Sequence, residues 1–288
     1  MRLAILYRGP LESCNYGCAY CPFAKHAETR AERAEDAAAL ERFVGWVEAR
    51  REDNVSVLFT PWGEALTRSR YQRALVRLTN APHVEKAAIQ TNLSCRLDWV
   101  EGCDKGKLGL WTTYHPSEVA RGRFLSKCFE LSRRGVRYSV GVVGLKEHAE
   151  EIEALRRELP SEVYLWVNAY KRVEGYYGRE DLRRFESVDP LFHINNRHHP
   201  SLGRACLCGE AVISVSGDGT ARRCHFIREP LGNIYEEGFE ASLRARPCTN
   251  DTCGCHIGYV HMPDLGLYRL FGRGVLERVP ESLPPGRR

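Results

Sequence analysis

Three cysteines, Cys14, Cys18 and Cys21, lie within the stretch SCNYGCAYCPF in the spacing C-x3-C-x2-C. Thiols packed this tightly act together, as ligands of a metal ion or a cluster. Three of them cannot complete a tetrahedral zinc site, and no His follows at the offset zinc fingers use. A [4Fe–4S] cluster held by three thiolates instead of four would keep one iron open to an external ligand. Zinc completed by a distant residue is the alternative that spacing leaves standing. Small Gly17 and Ala19 suit a loop curled around a bulky group. The chain holds 12 cysteines, and six of them (Cys206, Cys208, Cys224, Cys248, Cys253 and Cys255) gather near its C-terminal end. Two groups imply two metal sites.

The elements that must position the first group follow from periodicity. RLAILYR (2–8) is an apolar run that predicts a buried strand feeding directly into the cysteine loop. Further strands are expected at 54–60, 86–92, 107–114, 136–143 and 162–170. Helices are expected between them at 33–52, 67–80, 117–134 and 146–158, with another at 178–187. Strands alternating with helices in this way predict a parallel β/α architecture. Six units fall short of the eight in a closed barrel, so the expected fold is α/β, a partial (β/α)6 TIM-like barrel. In such barrels the loops leaving the C-terminal strand ends build the active site, and the cysteine loop is one of them. The Pro-, Asn- and His-rich stretch after residue 188 reads as a linker or loop. Expected domains are 1–190 for the barrel and 201–263 for a small iron–sulfur domain, with 264–288 as a tail ending in a solvated, basic PPGRR.

The pattern Cys14, Cys18, Tyr20, Cys21 resembles the C-x3-C-x-aromatic-C signature of the radical SAM enzymes. The resemblance implies a [4Fe–4S] cluster whose open iron binds the amine and carboxylate of S-adenosylmethionine, with Tyr20 against the adenine. PWGE (61–64), at the end of the second strand, is similar to the family's Gly-Gly-Glu motif, with Trp62 in place of the first glycine. It implies that Glu64 accepts a hydrogen bond from the methionine ammonium and that the Trp62–Gly63 backbone contributes. Looser matches imply cosubstrate contacts at Asn92 in QTN, at Thr113 in TTYHPS, at Arg123 in the following helix, and at Val143 in SVGVVGLKE.

The C-terminal region resembles the SPASM and twitch auxiliary-cluster domains of that family. Cys206, three residues before Gly209, and the step from Gly219 to Cys224 match their pattern, and GDG (217–219) predicts a hairpin that brings Cys206 and Cys224 together. The second half of the SPASM pattern is missing, which implies one auxiliary [4Fe–4S] cluster. Its expected ligands are Cys206, Cys224, Cys253 and Cys255, followed closely by Cys248, with Cys208 ranked lower. A structural zinc is the competing occupant.

Apolar residues make up 43% of the chain, charged residues 27%, and the formal net charge is +5, an ordinary composition for a soluble protein. The basic residues are scattered, so nucleic acid is not expected as a partner. No membrane span and no signal-peptide pattern are visible, which makes the expected location cytoplasmic. The resemblance implies reductive cleavage of S-adenosylmethionine, with a flavodoxin or ferredoxin as reductant, to a 5′-deoxyadenosyl radical that abstracts hydrogen from a substrate. The expected outcome is oxidation of a ribosomally made peptide whose leader a separate protein would recognise, since the first strand begins at residue 2. Oxidation of a small molecule such as a sugar or aminosugar is the alternative. From another class, the chain would be a non-catalytic metal-binding module with a structural zinc.

Overall fold

The computed structural model describes residues 1–23 and 26–281. The expected PPGRR tail lies outside the described residues. Six strands, β1 (Arg2–Arg8), β2 (Asn54–Phe59), β3 (Val84–Thr91), β4 (Leu108–Tyr114), β5 (Arg137–Gly144) and β6 (Leu165–Ala169), pair in parallel in that order. Between them run α1 (Arg30–Ala49), α2 (Ser69–Asn80), α3 (Arg121–Arg133) and α4 (Ala149–Glu158), and α5 (Arg179–Val188) follows β6. The strand β6 forms one edge of the sheet, giving the partial barrel that the alternation implied.

Side chains that alternate along each strand divide two cores. Leu3, Ile5, Val57 and Ile89 face the helices and pack on Phe43 and Leu75. Leu6, Leu58, Ala88, Trp111 and Trp166 face inward and pack on C-terminal residues such as Ile257 and Phe271. Burial on both faces is why these strands read as continuous apolar runs.

Helix boundaries move where local bonding decides them. The start of α1 is at Arg30 rather than 33, because Thr29 and Glu32 form a reciprocal capping box. The start of α3 is at Arg121 rather than 117, because the backbone N–H groups of Glu118 and Val119 close a turn on the His115 carbonyl. The stretch after 188 is anchored more firmly than a linker. Asp189 is fully buried and accepts from Tyr164 Oη (2.7 Å), Val167 N (2.9 Å) and Leu191 N (2.9 Å), and a short helix α6 (Phe192–Asn195) follows.

The cysteine-bearing C-terminal region extends the same sheet. After β7 (His199–Pro200), the hairpin of β8 (Val212–Ser216) and β9 (Thr220–Arg222) turns at Gly217–Gly219, and β8 pairs in parallel with β1. Gly219, at φ +89°, takes the left-handed conformation that this turn requires. Beyond it lie β10 (Pro230–Asn233), β11 (Thr252–Cys253), α7 (His256–Tyr259) and α8 (Leu267–Phe271), with β11 pairing on β7. The chain then enters the barrel floor. There Glu277 pairs with Lys86 (2.9 Å) and Arg137 (3.2 Å), and its carbonyl accepts from Ser139 Oγ (2.7 Å). A Cβ at Gly109 would stand 2.8 Å from Glu277 Cβ, so glycine admits this plug. No helix among the described residues is long and apolar enough to cross a membrane.

Candidate functional site

The cysteine loop leaves β1 at the C-terminal mouth of the barrel. Cys14 is exposed, Cys18 buried and Cys21 half-buried, and a turn bonds Cys21 N to the Cys18 carbonyl at 3.1 Å. Tyr16 N donates to Cys14 Sγ (3.4 Å) and Gly17 N to Glu118 Oε2 (3.0 Å). A Cβ at Gly17 would meet no atom within 4 Å, so the protein itself places no steric demand there.

The WGE turn braces this loop. Glu64 N donates to the Ser13 carbonyl at 3.0 Å, and a Cβ at Gly63 would lie 1.9 Å from that same oxygen. Glycine is therefore required at 63. Trp62 instead points outward, 37% exposed, stacked on Phe23 with ring centres 5.9 Å apart and lying under the Arg8 guanidinium at 5.2 Å. The departure from the family motif falls where the fold has room for a side chain.

Glu64 is buried, and its carboxylate accepts from Leu66 N (3.0 Å), Thr91 Oγ1 (2.8 Å) and Asn92 N. Burial raises its pKa to about 7 against the opposing effect of these donors. A carboxylate has about four lone-pair sites, so three donors leave capacity for one more. Asn92 ties the end of β3 to the loop, donating to Asn15 Oδ1 at 3.1 Å and approaching Cys14 Sγ at 3.9 Å. Thr113 pairs in register with Gly141, and Val143 stands two residues further along the same strand, so all three share the inner face near the mouth. Arg123 lies exposed in the first turn of α3, close enough to Tyr16 to act on it electrostatically.

The Tyr20 hydroxyl and the Cys18 thiol both meet His115 Nδ1, at 2.9 and 3.3 Å, and the Tyr20 and His115 rings lie nearly parallel with centres 6.0 Å apart. Burial pulls the His115 pKa down to about 4, which keeps the ring neutral. In the sequence, His115 of TTYHPS reads as a solvated loop residue or a contact to ribose or substrate, not as support for the cysteine loop, and Glu118 carries no signal beyond its place after β4.

At the second site, Cys206, Cys208, Cys224, Cys248 and Cys253 line one small cavity together with Phe226, Ile227 and Met262. The Cys208 thiol lies between those of Cys206 and Cys224, and sharing its one proton with them holds both below the ordinary thiol range while its own pKa is pushed up. Arg223, buried, clamps the wall, donating to the carbonyls of Cys208 (3.2 Å), Pro247 (2.7 Å) and Arg246 (2.7 Å). Cys255 is not part of this lining. The chain turns at Gly254 into α7, and a Cβ at Gly254 would strike His198 at 2.3 Å. Cys255 is instead acted on by Lys171, Arg278 and Arg8 on the barrel side. His225 shares a hydrogen bond with Thr60 Oγ1 (2.9 Å), while His256 is buried among Trp111, Tyr259 and Phe271. Cys95, Cys103 and Cys128 belong to the core between sheet and helices.

Among the described residues, no three His, Cys, Asp or Glu side chains converge closely enough to hold a single metal ion. Thiols arranged around a cavity, rather than on a point, fit a body larger than an ion. In the N-terminal trio, Cys14 lies 3.9 Å from Asn92 Nδ2 and close enough to Glu64 and Cys21 to act on them electrostatically.

Neither family models nor curated proteins match the chain. Solved structures do. Native anSMEcpe with bound AdoMet superposes with a TM-score of 0.54 at 16% identity, over 83% of this chain and 82% of that one. The same protein with bound AdoMet and Cp18Cys peptide gives 0.52 at 16% identity, over 83% and 82%. The fold of this chain is that of the radical SAM partial barrel.

Proposed function

We propose that the chain is a radical SAM enzyme. Cys14, Cys18 and Cys21 would hold a [4Fe–4S] cluster with one iron open, and four of the five cavity thiols (Cys206, Cys208, Cys224, Cys248, Cys253) would hold an auxiliary one within an iron–sulfur domain spanning 201–263. When bound and reduced by a flavodoxin or ferredoxin, the first cluster supplies the electron that cleaves S-adenosylmethionine to a hydrogen-abstracting 5′-deoxyadenosyl radical. The protein's own part is to bind and orient. Glu64, fixed by three donors, would accept the methionine ammonium in a charge-assisted bond. Arg123 would face the methionine carboxylate, and Thr113, Val143 and Tyr20 would line the adenosyl side. The Trp62 and Gly63 backbone would contribute at the motif, and Asn92 would keep the loop at its distance from β3.

The observation that carries this reading is the close seating of the WGE turn on the cysteine loop. It supports a role for a buried carboxylate, with spare acceptor capacity, next to the loop that carries Cys14 at the mouth of a parallel barrel. A non-catalytic zinc module would have no use for that carboxylate. For the substrate, we favour a ribosomally made peptide that is oxidised. The support is the shared fold with anSMEcpe, whose structure holds the Cp18Cys peptide.

The test is 5′-deoxyadenosine formation by the anaerobically reconstituted protein with dithionite. The wild type should form it and Cys18→Ala should not. Equal production by both would refute the assignment.

A further inference from the structure

Three cations stand around Cys255, Arg278 buried and Arg8 and Lys171 half-buried, and each is held only by neutral partners. Arg8, on the inner face of β1, donates from Nε to the Thr60 carbonyl at 3.0 Å. Lys171, just past β6, donates from Nζ to the carbonyls of Asn195 and Gly254, the latter at 2.6 Å. Arg278 is 2% exposed, rises from the floor plug, and lies 4.3 Å from the Trp166 ring centre and 5.6 Å from that of Trp111. Its Nε is buried without a hydrogen-bond partner. The acidic groups that act on these three are Asp189, Cys253 and Cys255. Among the described residues none of them forms an ion pair or hydrogen bond with the cations, and Asp189 already accepts from Tyr164, Val167 and Leu191.

Burying a cation away from water without an anionic partner costs several kcal/mol, a cost that falls in full on Arg278, and the half-buried Lys171 near it adds repulsion. Natural folds retain such charge where a ligand supplies the counter-charge. The floor shows the contrast: there Lys86 and Arg137 both reach a carboxylate, that of Glu277.

We propose that the barrel interior binds an oxyanion of the substrate, a carboxylate or a phosphate, between Arg8, Lys171 and Arg278. That the occupant is the substrate rests on the radical SAM reading; that the site takes an oxyanion does not. A carboxylate or phosphate accepts from both a guanidinium fork and an ammonium. An aminosugar would bring a fourth positive charge into the ring and be repelled, so the small-molecule alternative narrows to acids and phosphate esters. A peptide would present an Asp or Glu side chain or its C-terminal carboxylate.

The experiment is calorimetric titration of the reconstituted protein with inorganic phosphate and, separately, with malonate, at constant ionic strength. The proteins compared are wild type, Lys171→Met, Arg8→Gln and, as an outer-face control, Arg157→Gln. At least one probe should bind wild type and the control alike, and at least tenfold more weakly to Lys171→Met and Arg8→Gln at unchanged iron content. Which probe binds separates phosphate from carboxylate. Binding of neither probe, or equal binding to all four proteins, would overturn the proposal. So would intact binding in Lys171→Met together with a moved reduction potential of the auxiliary cluster, because the cations would then serve the cluster. Failure to form 5′-deoxyadenosine would sink the enzymatic reading alone and leave these titrations to decide the site.

Discussion

The two cysteine regions reach similar chemistry by opposite routes. The first is local: three thiols on one short loop, leaning on a glycine and a carboxylate from the next strand end. The second is assembled from afar, with five thiols drawn from 206 to 253 around a cavity that an arginine clamps shut. On the proposed reading the open loop would leave room for a cosubstrate, and the enclosed cavity would suit storage or passage of an electron. Openness, more than cysteine count, would separate the roles proposed for them.

The sharpest way to break that contrast is in the loop, where Cys18→Ala should abolish 5′-deoxyadenosine while the C-terminal cavity still loads iron, as iron analysis would register. Gly63→Ala comes next. Its Cβ would meet the Ser13 carbonyl at 1.9 Å, so overpacking should cost about 1–3 kcal/mol or more and displace the loop, reducing iron at the first site. Denaturant unfolding and iron content would both register it.

In the cavity, Cys224→Ser should remove about four irons, the content of one [4Fe–4S] cluster. Cys255→Ser, outside the lining, should remove none. Equal loss from both would place Cys255 among the ligands.

A gentler effect is expected from pH. Glu64, with its pKa raised to about 7, is charged above that value and neutral below it. S-adenosylmethionine should therefore bind more tightly as pH rises through about 7, and Glu64→Gln should flatten the profile. A steeper dependence in Glu64→Gln would contradict the role given to this carboxylate. The smallest change should come from Thr29→Ala, which removes the cap of α1 for about 1 kcal/mol of stability and leaves iron at both sites unaltered.

Legibility in the sequence followed the same division. The strand–helix alternation and the loop spacing are carried by neighbouring residues, so periodicity and motif expose them. The need for glycine at 63 but not at 62 also falls within one motif, yet it depends on Ser13, fifty residues away. Which thiols share the C-terminal cavity depends on how the chain turns at Gly254 and on the pairing of β8 with β1, and neither leaves a local pattern. Arg223 looked like one more basic residue beside a cysteine. The convergence of Arg8, Lys171 and Arg278 joins a first strand, a sixth strand end and the C-terminal plug, a meeting that only the folded chain reveals.

The most direct test of two clusters, one open and one enclosed, is the iron, sulfide and zinc content of the anaerobically reconstituted protein. About eight irons per chain with little zinc is the expected result. About four irons with one zinc would contradict it, leaving the C-terminal cavity as a structural clip.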